Sequence, residues 1–433
     1  MMTAMSPIGT TAPWPQLPAH RRWLEAECRR LLEFGRRVGR SEGGAAYLDD
    51  RGAPMGEQGV QTWITARMVH VYSLGVLLGI PGSGHLARTA LSGLTGDLRD
   101  GVHGGWFHGL DPEGVPEVGA GKSCYDHAFV MIAAASAVNA DLPGAGNLLA
   151  EATRVFLDKF WDDHAGLPVD SWDVGFTRAD EYRGLNATMH SVEAMLAVAD
   201  AVDLLPAAGT GSTSGVTAEA TEWRERAARA ASFVVGLVDR GDGRLPEHFT
   251  SAWQPEPDVN RDRPDDPFKP YGATPGHGLE WARLLLHLEA VTVPDHDLVA
   301  AAETLFSRAV ADGWAVDGAD GFVYTTDWDG TPIVRQRMHW VVAEAIGAAA
   351  ALLLRTGKPE YAHCYATWWD YAERFLIDHE GGSWWHELDP LNRPTGTVWP
   401  GKPDLYHAVQ ATVIPRLPLA PTIARALHDG LLG

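Results

Sequence analysis

Histidine is the side chain whose ordinary pKa lets it give and take a proton near pH 7, and this sequence carries 18 of them beside 17 tryptophans. Three stand in segments where polar residues, Gly and Pro interrupt a helical rhythm. In Leu185-Asn-Ala-Thr-Met-His190, Asn186 and His190 are one turn apart and point the same way. The plainer readings are a helix cap for Asn186 and a satisfied core histidine for His190. In Pro275-Gly-His277-Gly-Leu-Glu280-Trp281, a His opens a helix and Glu280 follows one turn on, where it can accept from the ring and fix its tautomer. The same His-x-x-Glu spacing fits half of a carboxylate-bridged metal site, but the companion Glu and a second such motif are not apparent. In Gly401-Lys-Pro-Asp404-Leu-Tyr-His407, Asp404 can cap a helix whose first turn holds His407. The positive end of a helix dipole lowers a histidine pKa and so favours a neutral base; a structural histidine is the alternative. A fourth segment, Gln61 to His70, sets Trp63 and Arg67 four apart on one helical face. An Arg stacked near a Trp can hold a hydroxyl-rich ligand, unless it is a surface residue or half of a buried ion pair.

The elements that must position these residues are helical. Apolar residues return every three or four positions, predicting helices at about 18–39, 60–79, 84–98, 122–141, 145–162, 186–204, 217–238, 277–292, 296–313, 335–356, 359–378 and 404–417. Twelve helices make six pairs if the last closes against the first. Connections within pairs are short. Those between pairs are longer and rich in Gly and Trp, and Gly104–Val118, Asp163–Arg178, Gly241–Trp253, Gly321–Pro332 and Gly382–Val398 each read as a short β-hairpin at one end of the array. Long loops gathered on one rim of a rigid scaffold are where sites are built. Alanine-lined helices, as at Ala133–Ala140 and Ala343–Ala351, suit two concentric rings. No clean repeat of fixed period is visible, which argues against a solenoid. Ala207–Ser214 reads as a flexible connector, and residues 1–433 read as one domain with its core at about 18–420.

A net charge of −21 argues against nucleic acid or an anionic membrane as partner. No apolar run approaches the roughly 20 residues that span a bilayer, and the N-terminus lacks a basic segment followed by an apolar one. Cys28, Cys124 and Cys364 have neither disulfide-framework nor zinc spacing, so a reducing cytoplasm is expected. Broad aromatic faces are common where pockets hold sugars or other flat apolar faces. Monomer and dimer are both open.

Together the four segments resemble the N-acylglucosamine 2-epimerase superfamily, most closely its mannose and sulfoquinovose isomerase branch. Trp-x-x-x-Arg-Met-x-His, Asn-x-x-x-His, Pro-Gly-His-x-x-Glu-Trp and Gly-Lys-Pro-Asp-x-Tyr-His each match without a gap and in order, over roughly residues 20–420. The resemblance implies an all-α (α/α)6 barrel, a monosaccharide substrate, no metal and no organic cofactor. It assigns Arg67, His190, His277, Glu280 and His407 to the active site, and Asn186 lies in the same matched segment as His190. It also places Tyr125 near the sugar, and puts Trp340 and Glu344 in a Trp-Trp-x-x-x-Glu pattern whose first Trp is here His339. That departure favours the isomerase branch over the epimerases.

The chemistry implied is aldose–ketose isomerisation through a cis-enediol, on mannose and fructose and, one carbon shorter, lyxose and xylulose. His407 is expected to move the proton between C2 and C1, and His277 with Glu280 to open the ring. Arg67 and His190 would hold O1 and O2. A sulfoquinovose isomerase or a 2-epimerase is the nearer alternative. A glycoside hydrolase using loop carboxylates such as Asp327 and Asp329, or a non-catalytic sugar-binding toroid, is the more distant one.

Overall fold

The computed structural model describes residues 12–205, 213–293 and 295–433. In chain order its helices are α1 (Pro18–Phe34), α2 (Thr62–Leu77), α3 (Ser83–Thr95), α4 (Cys124–Asn139), α5 (Ala145–Val155) and α6 (Leu185–Val202). There follow α7 (Thr213–Gly241), α8 (Pro275–Val291), α9 (Leu298–Gly313), α10 (His339–Thr356), α11 (Pro359–Tyr371), α12 (Tyr406–Val413) and α13 (Ile423–His428). The even-numbered helices form an inner ring, α2 against α4, α4 against α6 and onward until α12 returns to α2. Each takes an outer partner: α3, α5, α7, α9, α11 and, for α12, α1. This is the (α/α)6 barrel, with the last inner helix closing on the first outer one.

Ring position follows from composition. Along α2 every residue from Thr62 to Gly75 is buried, as befits a helix enclosed on all sides. Outer α5 buries one stripe, Ala145, Leu148, Leu149, Ala152 and Val155. On α4, Ala133, Ala134 and Ala137 are fully buried, and their small size brings neighbouring axes together. Of the described helices α10 alone is long and apolar enough to cross a membrane by composition, and 78% of that span is buried inside the barrel.

The inner helices all start at one end, and two-residue strands set their entry. Val60–Gln61 before α2 pairs with Gly109–Leu110, Lys122–Ser123 before α4 with Ser171–Trp172, Arg183–Gly184 before α6 with His248–Phe249, and Arg337–Met338 before α10 with Glu387–Leu388. Ala273 before α8 bridges Thr326. Each of these five inner helices is therefore tied to the loop ahead of the next. The tie is close: a Cβ on Gly59, at φ +63°, would lie 2.1 Å from the Leu110 carbonyl oxygen, and one on Gly272, at φ +93°, 2.1 Å from that of Thr326. Only glycine fits there.

The expected rim hairpins exist; Leu110↔Pro116 and Leu388↔Pro394 lie within their sequence bounds, Phe249↔Pro255 runs past its expected end at Trp253, and Leu48↔Pro54 adds one that the sequence reading lacked. They reveal a repeat that sequence reading did not find. Asp49, Asp111, Asp173, Asp327 and Asp389 each accept a backbone N–H four residues on, and Thr250 takes the same role with its hydroxyl. These turns recur six times among the described residues, but unequal insertions between them hide any fixed period. Asp327 is thus engaged in a turn, accepting from the Asp329 and Thr331 amides. The Ala207–Ser214 connector lies outside the described residues up to 212, and its last two residues open α7. Helix α13, beyond the expected core, packs on α2, α4 and α6 and closes the end of the barrel opposite the strands.

Candidate active site

The first turns of the inner helices surround a cavity whose empty space, counted out through its open mouth, is about 690 Å³. Trp63 and Arg67 come from α2, Tyr125 from α4, Asn186 and His190 from α6, His277 and Glu280 from α8, His339 and Trp340 from α10, and His407 from α12. Six helix N-termini facing one space make it favourable for negative charge. The loop between α7 and α8 adds Phe268 at the mouth, where its ring meets those of Trp63, Tyr125 and Trp399 edge-on at centroid distances of 6.1, 6.0 and 5.3 Å.

Three histidines share one arrangement. His277 Nδ1 lies 2.9 Å from Glu247 Oε1, His407 Nδ1 3.0 Å from Glu344 Oε1, and His190 Nδ1 3.2 Å from Glu193 Oε2. An ionised carboxylate only accepts, so each Nδ1 donates and each Nε2 is left with its lone pair. Burial presses the His190 pKa down to about 4 against the pull of Glu193. Trp340 separates the other two rings, with centroids 5.2 Å from His277 and 5.9 Å from His407.

Arg67 is both a buried ion pair and a cavity residue. Its Nη1 donates to Asp404 Oδ2 at 3.1 Å and its Nη2 to the Tyr125 hydroxyl at 2.9 Å. The guanidinium also lies 4.9 Å from the Trp63 ring. Burial disfavours the Asp404 carboxylate, but the Arg67 charge prevails and holds its pKa below the ordinary value. Asp404 also accepts from the Tyr406 amide through Oδ1, as a cap would.

Several sequence expectations need correcting. Glu280 does not orient His277; Glu247, thirty positions away in the chain, does. Glu280 instead faces His190 Nδ1 at 3.8 Å and Arg283 Nη2 at 3.7 Å. The His277-x-x-Glu280 half of a metal site is therefore not formed. Among the described residues one group, His190, Glu193 and Glu280, has ligand atoms within 4.8 Å of one another. Arg283 sets a positive charge against it and the Tyr406 hydroxyl already donates to Glu193 at 2.5 Å, so it reads as a hydrogen-bond network. Glu344 does not line the cavity; it accepts from Arg283 Nε at 2.9 Å and from His407, and acts through that ring. Asn186 is no cap, because α6 starts after Gly184 and Asn186 lines the cavity. His339, in place of the family tryptophan, stacks on His386 at a centroid distance of 3.7 Å.

Glu193, Glu247, Phe268, Tyr324 and His386 were not found from sequence. Three had a signal in the hidden repeat: Glu247, Tyr324 and His386 each stand three residues before a turn-capping side chain, Thr250, Asp327 and Asp389.

The sequence pattern described as N-acylglucosamine 2-epimerase (GlcNAc 2-epimerase) matches residues 43–411. The D-mannose isomerase of Thermobifida fusca is 51% identical over 418 residues, 96% of this chain and 98% of its own length. That of Pseudomonas cannabina pv. alisalensis is 44% identical over 429 residues, again 96% and 98%. A crystal structure of D-mannose isomerase superposes with a TM-score of 0.80 at 26% identity, covering 92% of this chain and 99% of that one. The chain is an isomerase and belongs to the N-acylglucosamine 2-epimerase family.

Proposed function

We propose that this enzyme interconverts D-mannose and D-fructose, and with a shorter substrate D-lyxose and D-xylulose, through a cis-enediol. The observation that carries the reading is the set of three histidines, each held by a carboxylate at Nδ1, around one cavity that also holds Arg67. An aldose becomes acidic at C2 only once its ring has opened to expose the C1 carbonyl. His277, poised by Glu247, takes the O1 proton of the cyclic sugar and returns a proton to the ring oxygen. His407 then removes the C2 proton, the C1=C2 bond forms and the C1=O1 electrons move to O1; O1 takes up the proton that O2 gives up, and the proton on His407 returns to C1 as O2 becomes the carbonyl. Arg67, with the six helix N-termini, stabilises the enediolate, and His190 accepts from a sugar hydroxyl through its Nε2 lone pair. Asn186, Tyr125 and Trp340 orient the sugar.

Mannose is favoured over sulfoquinovose by the charges of the cavity. Among its described lining residues Arg67 is the one cation, and Asp404 already pairs with it, so a sulfonate finds no free partner. A hydrolase reading is weakened by the turn role of Asp327 and by the commitment of Asp404 to Arg67. Epimerisation at C2 is the second reading, because His277 and His407 flank Trp340 from two sides and two opposed bases can exchange the face of protonation. The unpaired cysteines fit a cytoplasmic setting.

Mannose, glucose, lyxose and sulfoquinovose, each incubated with the protein and followed by NMR, test this reading. Fructose from mannose and xylulose from lyxose are the expected products. Glucose from mannose with no fructose would establish epimerisation, and turnover of sulfoquinovose alone would overturn the sugar assignment.

A further inference from the structure

Beneath the cavity three carboxylates surround one guanidinium. Glu280 and Glu344 are buried beside Arg283, which is itself 1% exposed, and Glu193 lies next to them with its side chain 12% exposed. They are not equally supported. Glu344 accepts from Arg283 Nε at 2.9 Å and from His407 at 3.0 Å. Glu193 accepts from the Tyr406 hydroxyl at 2.5 Å and from His190 at 3.2 Å. Glu280 has no hydrogen bond to its Oε1; Arg283 Nη2 and His190 Nδ1 approach that oxygen only to 3.7 and 3.8 Å. Oε1 is thus turned inward to weak donors, which leaves Oε2 on the cavity side.

Three negative charges held close together out of bulk water by one positive charge carry a large penalty. One proton relieves it, and it settles where ionisation is least supported. Arg67 across the cavity on α2 is neutralised by Asp404. Tyr125 and Tyr406, from α4 and α12, add no charge while their hydroxyls stay protonated, and burial raises the pKa of both. From the proposed enediol chemistry and this geometry, we infer that Glu280 is carried as the neutral carboxylic acid and donates a hydrogen bond from Oε2 to an enediolate oxygen. Burial first, then the Glu344 charge, pushes the Glu280 pKa well above its ordinary value, while burial keeps His190 neutral beside it. A neutral donor suits the site. An ionised Glu280 would repel the charge that develops on O1, whereas the acid meets it with a charge-assisted hydrogen bond.

Glu280→Gln keeps the shape and a donor but never ionises; Glu280→Ala keeps neither. Infrared spectra of the protein at pH 7, in H2O and D2O, read the protonation directly. The expected result is a deuterium-sensitive C=O stretch of a protonated carboxyl group in the unsubstituted enzyme, absent from both variants. In activity, Glu280→Gln should stay within about tenfold of the parent while Glu280→Ala falls by on the order of 10²–10³. No band lost on substitution would overturn the inference, as would Glu280→Gln falling as far as Glu280→Ala. Circular dichroism checks folding, and either folded variant suffices to assign the band. The spectrum needs no substrate. A protein that shows the band but converts no sugar would refute the isomerase reading and leave the protonation standing.

Discussion

His277 Nδ1 meets Glu247 Oε1 at 2.9 Å across the junction of two repeats, one residue opening α8 and the other on the loop ahead of it. The contact selects the tautomer that presents Nε2 as the acceptor. Glu247→Gln can offer its amide N–H to the ring and so stabilise the wrong tautomer. Loss of an orienting carboxylate beside a catalytic histidine costs about 10⁴ in kcat in the best-studied hydrolases, and a loss on the order of 10²–10⁴ is expected here with KM little changed. Glu247→Asp should recover part of it. Steady-state kinetics on mannose, with 15N NMR of the His277 ring, reads both effects. An unchanged kcat in a variant with the altered tautomer would remove His277 from the chemistry.

His407 is predicted to be the base at C2. In His407→Ala, exchange of the substrate C2 proton with D2O or with C1 should vanish by NMR. Ring opening should persist, because His277 and Glu247 are untouched. Glu344→Gln should lower kcat less than His407→Ala, because the ring that moves the proton is still present, and should cost the fold little, because Glu193 and Glu280 still face Arg283. Retained C2 exchange in His407→Ala would sink the assignment.

How much of this was legible depended on distance along the chain. Arg67, His190, His277 and His407 could be picked out because each stands in a short segment whose polar, Gly and Pro content breaks an apolar helical rhythm. The twelve barrel helices followed from periodicity alone. The carboxylates that position the histidines were harder. Glu344 was noticed through its motif but misplaced as a sugar contact. Glu247 sits between Pro246 and His248 in a hairpin loop, where nothing local marks it. Glu280 was given to His277 because three residues separate them, yet the rise of α8 carries it inward to Arg283 and His190. Only the register of the whole ring tells which loop carboxylate reaches which ring nitrogen.

At the mouth, His108 Nδ1 donates to Asp126 Oδ2 at 2.9 Å, and the Asp126 charge, against burial, raises the His108 pKa from 6.5 to about 9. A raised folded pKa means the folded state holds the proton more tightly. The stabilisation is complete below pH 6.5 and disappears as pH climbs through about 9. With the ring partly open to solvent, its size is on the order of 1–2 kcal/mol. Urea titrations of the parent and Asp126→Asn should therefore differ most near pH 6 and converge towards pH 9.5, leaving a constant offset from the lost bond to Ser123. A gap that widens with pH would show that His108 is neutral in the folded enzyme.

Lys402 carries the last prediction, because it ties the catalytic loop to the outer ring. Its ammonium is fully buried and donates to Asp378 Oδ2 at 2.6 Å and to the Gly382 carbonyl at 2.7 Å, with the Trp385 ring 3.9 Å away. Lys122 repeats the device before α4, donating to Asp100 at 2.7 Å and to the Gly104 carbonyl at 2.6 Å. Replacing one member of such a pair strands the other charge, which costs about 3–5 kcal/mol, whereas replacing both by neutral groups costs much less. Lys402→Met should thus be strongly destabilising and Asp378→Asn likewise, while the double variant should lie well above the sum of the two losses. Activity discriminates further. Lys402 is followed within five residues by Asp404 and His407, which hold Arg67 and the proposed C2 base, so a folded double variant should lose kcat through a loosened loop. Lys122 precedes Tyr125 alone among the cavity residues of α4, and the matching Lys122→Met, Asp100→Asn pair should mainly raise KM. Equal kinetic damage from the two double variants would show that the loop before α12 has no special part in placing the base.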